Sequence, residues 1–202
     1  MPQLPFHPWE QELTHKGFLR IAGIDEVGRG CLAGPVMAAC VLLPRDSDIV
    51  GVRDSKQLSP AKREQLYHHI VKESVSWGVG RVEALEIDEI NILQATKRAM
   101  AQALASLSFV PDCLVIDGKI ELPVNIRQYP IVRGDECCYS IAAASIVAKV
   151  TRDRWMVEQA RHYPQYLFER HKGYGTKDHL EALRTYGPTP LHRRTFRGVL
   201  RD

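Results

Sequence analysis

Three short apolar runs in this chain each lead into acid. Arg20-Ile21-Ala22-Gly23-Ile24 is followed by Asp25-Glu26, Leu114-Val115-Ile116 by Asp117, and Ile131-Val132-Arg133-Gly134 by Asp135. Runs this short and this rich in branched aliphatics read as strands. In an α/β sheet the strand ends converge on one edge, where ligands bind. Four carboxylates gathered at such an edge repel one another unless a cation neutralises them. Hard divalent ions with oxygen ligands do so, and Mg2+ suits such a site. Two ions about 4 Å apart can activate a water and stabilise the leaving oxygen of a phosphodiester. Any single aspartate after a strand reads as readily as a turn or a helix cap; three such positions in 202 residues are harder to dismiss.

The rest of the pattern supplies strands and helices around that edge. Leu19–Ile24 reads as a strand ending at Asp25, Val36–Leu43 as a second strand closed by Pro44, and Val75–Val82 as a third. Cys113–Ile116 and Tyr129–Val132 are short apolar strands. Ser59 caps a helix with Pro60 at its first position, running to about Val71. Ile90, Leu93, Lys97, Met100 and Leu104 recur at helical spacing, which predicts a helix over 88–107. Cys138 to about His162 reads as a helix whose centre, Ile141 to Ala148, is apolar nearly all round and therefore buried. Thr176 to Tyr186 is a last helix, closed by Gly187 and Pro188. Three strands followed by alternating strands and helices imply an α/β fold, a mixed sheet flanked by helices.

Size and composition fit a single domain with a core of its own, since 45% of residues are hydrophobic. No run approaches the roughly 18 apolar residues of a membrane helix, and the first residues lack the basic flank and apolar stretch of a secretory signal. Five cysteines without metal spacing are expected to be reduced thiols in a cytoplasmic protein. The net charge is only +3, but residues 170–202 carry eight Lys and Arg against three acids, net +5, which leaves −2 for the remainder. A basic end beside an acidic body suits a phosphate-binding arm next to a metal site; a solvated basic tail fits the charge alone equally well.

Gly28-Arg29-Gly30 follows the acidic pair at once. The glycines let the backbone approach a ligand, and Arg29 can meet a phosphate. The Lys-Ser/Thr pair of a phosphate-loop nucleotidase is missing, which sets that class aside.

At this point the chain resembles a known family, ribonuclease HII of the bacterial type. Gly23-Ile24-Asp25-Glu26-Val27-Gly28-Arg29-Gly30 is similar to its first motif, and Asp54-Ser55-Lys56-Gln57-Leu58 to its DSK-x-L loop. Glu86 to Thr96, Val115-Ile116-Asp117-Gly118, Gly134-Asp135, Ala142 to Asp153 and His171-Lys172-Gly173-Tyr174-Gly175-Thr176 follow in the family's order. The sister ribonuclease HIII family usually carries Gly-Lys-Gly at residues 28–30.

The resemblance implies a ribonuclease H-like fold: a mixed five-stranded sheet flanked by helices, with a small C-terminal helical extension. It divides the chain into an N-terminal extension (1–18), a catalytic domain (19–165) and a helical substrate-binding segment (166–202). It implies Asp25, Glu26, Asp117 and Asp135 as catalytic ligands of two Mg2+ or Mn2+ ions. It implies that Gly28, Arg29, Gly30 and Tyr174 sense a ribose 2′-OH, the group that separates RNA from DNA. Ser55, Lys56 and Lys172 become phosphate contacts. The activity implied is hydrolysis of the RNA strand of RNA–DNA hybrids and incision 5′ to single ribonucleotides in duplex DNA, by a monomer serving ribonucleotide removal. A junction resolvase of the same fold class would share the acids but lack the pairing of Gly28-Arg29-Gly30 with Tyr174. A non-catalytic nucleic-acid-binding module gains nothing from clustered acid.

Other residues carry plainer expectations. Cys31 stands where proline is frequent, and Cys137-Cys138 beside Asp135 are expected to be packing residues. Asp153 should pair with Lys149 one helical turn away. His68, His69, His162, His171, His179 and His192 show no metal spacing and are expected at the surface or in caps.

Overall fold

The computed structural model describes residues 8–52 and 58–200. Five strands form one mixed sheet: β1 (Ile21–Val27), β2 (Val36–Leu42), β3 (Ser76–Val82), β4 (Cys113–Asp117) and β5 (Arg127–Ile131), in the spatial order β3-β2-β1-β4-β5. β1 is central. It pairs antiparallel with β2 and parallel with β4, β2 pairs antiparallel with β3, and β4 pairs parallel with β5.

The helices are α1 (Pro8–His15), α2 (Pro60–Glu73), α3 (Ala84–Ala105), α4 (Gly134–Cys137), α5 (Tyr139–His162), α6 (Phe168–His171) and α7 (Lys177–Tyr186). Side chains of β1 and β2 alternate between the two faces, as the pleat requires. Ala22, Ile24, Ala38 and Cys40 join the core under α3, while Ala39 and Val41 join the core under α5. Glycine lets both helices lie close. A Cβ on Gly23 would sit 2.1 Å from the Ser140 carbonyl carbon of α5, and one on Gly80 would sit 1.9 Å from the Ala99 oxygen of α3. The predicted burial of the α5 centre is observed, with Ile141 to Ala148 all buried.

Among the boundaries that differ from the sequence reading, three have a local reason. β1 does not stop before Asp25. Its ladder with β2 continues through Asp25↔Ala39, Glu26↔Ala38 and Val27↔Met37, past its last pairing with β4 at Ile24↔Ile116. The α3 helix begins at Ala84 and contains a break at Asn91 (φ 65°, ψ 164°), whose Oδ1 accepts from the N–H groups of Leu93 and Gln94. Asn91 thus caps a second helical section. Asp135 lies in the separate short helix α4, and the extended backbone of Cys138 interrupts the chain before α5.

The C-terminal elements build a satellite core. Tyr166, Phe168, Ala182, Leu183 and Val199 pack with Ala33, Met156 and Ala160 against the second half of α5. At the other end α1 is tied in by Leu13 and by Glu10, whose Oε1 accepts from the N–H and hydroxyl of Ser140, both at 2.8 Å.

Candidate metal and substrate site

The three acids of β1 and β4 meet at one sheet edge. Parallel pairing of Ile24 with Ile116 brings Asp25, Glu26 and Asp117 to the same end, and carboxylate oxygens from all three lie within 4.8 Å of one another. Asp25 is buried on the α5 side, where the Ser145 hydroxyl hydrogen-bonds its carboxylate; its Oδ1 also accepts the Glu26 N–H at 2.7 Å. Burial raises the Asp25 carboxyl well above its ordinary range, and the charges of Glu26 and Asp117 push it further. Burial also raises Glu26, opposed by the Arg29 guanidinium 3.5 Å away. Buried, mutually repelling oxygens are destabilised until a cation joins them, and an all-oxygen set suits a hard divalent ion.

Asp135 is buried too, but it is not one of the three oxygens within 4.8 Å. Its chain neighbour Gly134 ties it to Asp117. Asp117 Oδ1 accepts the Gly134 N–H at 2.7 Å, which fixes the start of α4 on the end of β4. Just behind, the buried Cys138 thiol donates to Glu10 Oε1 at 3.0 Å, and burial holds it well above the ordinary thiol range. That is the packing role expected of it.

Gly28-Arg29-Gly30 forms the turn beyond β1. Gly28 has φ +89°, and a Cβ there would meet the Arg152 side chain at 2.3 Å. The Tyr174 loop faces this turn: Gly173 O accepts from Leu32 N–H (2.8 Å) and Ala33 N–H (3.3 Å). Tyr174 is 42% exposed, Lys149 Nζ lies 5.9 Å from its ring centre, and its hydroxyl reaches the buried Cys31 thiol. Lys149 pairs with Asp153 at 2.8 Å, as expected. Lys172 lines a groove of about 890 Å³ beside Tyr174, together with Arg63, Lys149, Arg154, Arg161 and Arg170. Ser55 and Lys56 fall outside the described residues.

The histidine expectation is corrected. His171, His179 and His192 are buried under the Tyr174 loop rather than exposed. The Thr189 N–H donates to His192 Nδ1 at 2.9 Å, so Nε2 carries the ring proton toward His179 Nε2 at 3.0 Å. His179 Nδ1 then donates to the Tyr174 carbonyl at 2.9 Å. His171 stacks on His179 at 4.5 Å and accepts the Gly173 N–H. Burial lowers His179 and His192 to about 4, so the relay is neutral. Two buried arginines, Arg152 and Arg193, were also missed. The available signal was Arg152 standing one helical turn from Ala148 and from Met156 on an apolar face.

The family model for ribonuclease HII matches residues 22–199. The chain belongs to the ribonuclease HII family. The ribonuclease HII of Bacillus subtilis is 54% identical over 191 residues, covering 95% of this chain and 74% of that protein. The Geobacillus thermodenitrificans ribonuclease HII is 56% identical, covering 95% and 73%. Among solved structures, ribonuclease H2 from Pyrococcus horikoshii superposes with a TM-score of 0.75 at 28% identity, covering 89% of this chain and 95% of that one. The fold is therefore ribonuclease H-like, and the chain is a ribonuclease H acting on nucleic acid. Ribonucleases of this kind depend on a divalent metal, and the acidic cluster fits one. Among the described residues no helix is long and apolar enough to cross a membrane.

Proposed function

We propose that this ribonuclease hydrolyses the RNA strand of RNA–DNA hybrids and incises duplex DNA 5′ to single embedded ribonucleotides. The observation that carries the reading is the meeting of Asp25, Glu26 and Asp117 oxygens within 4.8 Å beside a glycine-rich turn and a half-exposed tyrosine. Asp25, Glu26, Asp117 and the neighbouring Asp135 would hold two Mg2+ or Mn2+ ions, which when bound supply a water nucleophile and neutralise the departing oxygen. The protein's own groups do the positioning. Arg29, salt-bridged to Glu26, is placed to meet a phosphate at the cluster. The Gly28-Arg29-Gly30 backbone is open at Gly30, where nothing lies within 4 Å of a Cβ position, and can approach a ribose closely there. Tyr174 offers a ring face to the sugar and a hydroxyl for a hydrogen bond. Lys172 and the basic groove beside it take the strand backbone.

The test uses three duplexes of one sequence: all DNA, DNA with one ribonucleotide, and an RNA–DNA hybrid. Cleavage of the second and third with Mg2+ or Mn2+, abolished by chelator, is expected. Cleavage of the all-DNA duplex at a comparable rate would instead favour a junction-resolving or nonspecific nuclease.

A further inference from the structure

Two fully buried arginines spend their guanidinium donors on backbone carbonyls at the seam between the two recognition loops. Arg152 donates through Nε to Pro35 O (2.9 Å), through Nη2 to Ala33 O (3.0 Å) and through Nη1 to Lys172 O (2.9 Å). One side chain on α5 thus grips both the segment after Gly28-Arg29-Gly30 and the loop that carries Tyr174. Arg193 donates through Nη2 to Gly28 O (2.7 Å) and Gly34 O (2.8 Å), through Nε to Gly34 O (3.0 Å) and through Nη1 to Arg29 O (2.8 Å). It grips the turn itself from the C-terminal segment.

The glycines around this frame are shaped to it. A Cβ on Gly28 would lie 2.3 Å from Arg152 Nε, and one on Gly173 would lie 2.3 Å from Ala33 O; both residues have positive φ. Between the loops the backbone contacts are the Leu32 and Ala33 bonds to Gly173 O, beside the Tyr174 hydroxyl's contact with Cys31, and an isolated bridge ties Ala33 to His192 in the C-terminal segment. A planar guanidinium has fixed donor directions, so it holds several carbonyls at set angles where a lysine cannot.

We propose that Arg152 and Arg193 are positioning residues that set the register between the Gly28-Arg29-Gly30 turn and the Tyr174 loop, and thereby let the enzyme single out one ribose in a DNA duplex. The proposal rests on the ribonucleotide reading above. It has a consequence that a purely structural role lacks. A lone ribonucleotide offers one 2′-OH, which both loops must meet at once. A hybrid offers a 2′-OH at every step, so loops slightly out of register still find one. Loosening the frame therefore costs the single-ribonucleotide substrate more.

The experiment measures kcat/KM for Arg152→Lys, Arg152→Met and Arg193→Lys on the single-ribonucleotide duplex and on the hybrid, with thermal melts and Mn2+ binding as controls. Displacing a reacting group by about 1 Å can cost ~100-fold. The expected loss is thus at least about 10-fold on the single-ribonucleotide duplex against no more than about 3-fold on the hybrid, with Mn2+ affinity unchanged. Arg152→Lys should retain more selectivity than Arg152→Met. Equal losses on both substrates in folded variants, or no loss on either, would overturn the proposal. If the Arg152 variants fail to fold, Arg193→Lys alone decides by the same ratio, and should it also fail to fold the arginines are structural and the proposal falls. If the unaltered enzyme does not cut the single-ribonucleotide duplex, it is the ribonucleotide reading that fails.

Discussion

Asp25 is where fold and chemistry conflict most sharply. Its carboxylate is buried, and its neighbours in the cluster are acids, so the metal-free protein holds the charged form at a cost. Asp25→Asn keeps the shape and removes that cost. We expect the variant to melt no lower than the parent in chelator, and higher at neutral pH, while turnover falls by ~10²–10³, the usual effect of removing one charge-stabilising group. Normal cleavage by this variant would remove the residue from the site. Tyr174 tests recognition in the same way. Loss of sugar or base stacking is worth about 1–3 kcal/mol, so Tyr174→Ala should slow cleavage of the single-ribonucleotide duplex by roughly 5- to 150-fold. Tyr174→Phe, which keeps the ring, separates stacking from the hydroxyl's hydrogen bond. An unchanged rate for Tyr174→Ala would leave recognition to Gly28-Arg29-Gly30 alone.

At the scale of elements, the histidine relay joins α7 and the C-terminal segment to the Tyr174 loop. Burial holds His179 and His192 at about 4, below the ordinary histidine value near 6.5, so the folded chain keeps them neutral while the unfolded chain protonates. The stability they contribute is therefore present above about pH 6.5 and lost as pH falls toward 4. Thermal midpoints taken from pH 7 to 4.5 should fall more steeply for the parent than for His192→Gln. The acidic cluster titrates alike in both, so the difference isolates the relay; parallel curves would contradict it. Elements with strong local signals were legible in the sequence: the Ser59-Pro60 start of α2, the apolar centre of α5, the glycine after α7. The continuation of β1 through Asp25 and Glu26 was not, because only the β2 ladder sustains it. Nor was the Asn91 break, where a cap sits inside one continuous helical periodicity.

For the molecule as a whole, strand ends and parallel pairing bring Asp25, Glu26 and Asp117 to one sheet edge, whereas Asp135 is carried on the short helix α4. Arg152 could have been read from the apolar face of α5, but the inward turn of Arg193 and three histidines could not, since their burial is decided by contacts between distant segments. The basic charge is also distributed differently from the count over residues 170–202. Arg193 is buried, and the groove beside Tyr174 draws Arg63 from α2 and Lys149, Arg154 and Arg161 from α5. One measurement bears most directly on the account: mapping, at nucleotide resolution, the cut and its end groups on duplex DNA with one ribonucleotide. Attack by water at the carboxylate cluster predicts a single cut 5′ to the ribonucleotide, leaving a 3′-hydroxyl and a 5′-phosphate. A 2′,3′-cyclic phosphate facing a 5′-hydroxyl would make the 2′-OH the nucleophile and contradict it, and a cut on the ribonucleotide's 3′ side would contradict the proposed position of cleavage.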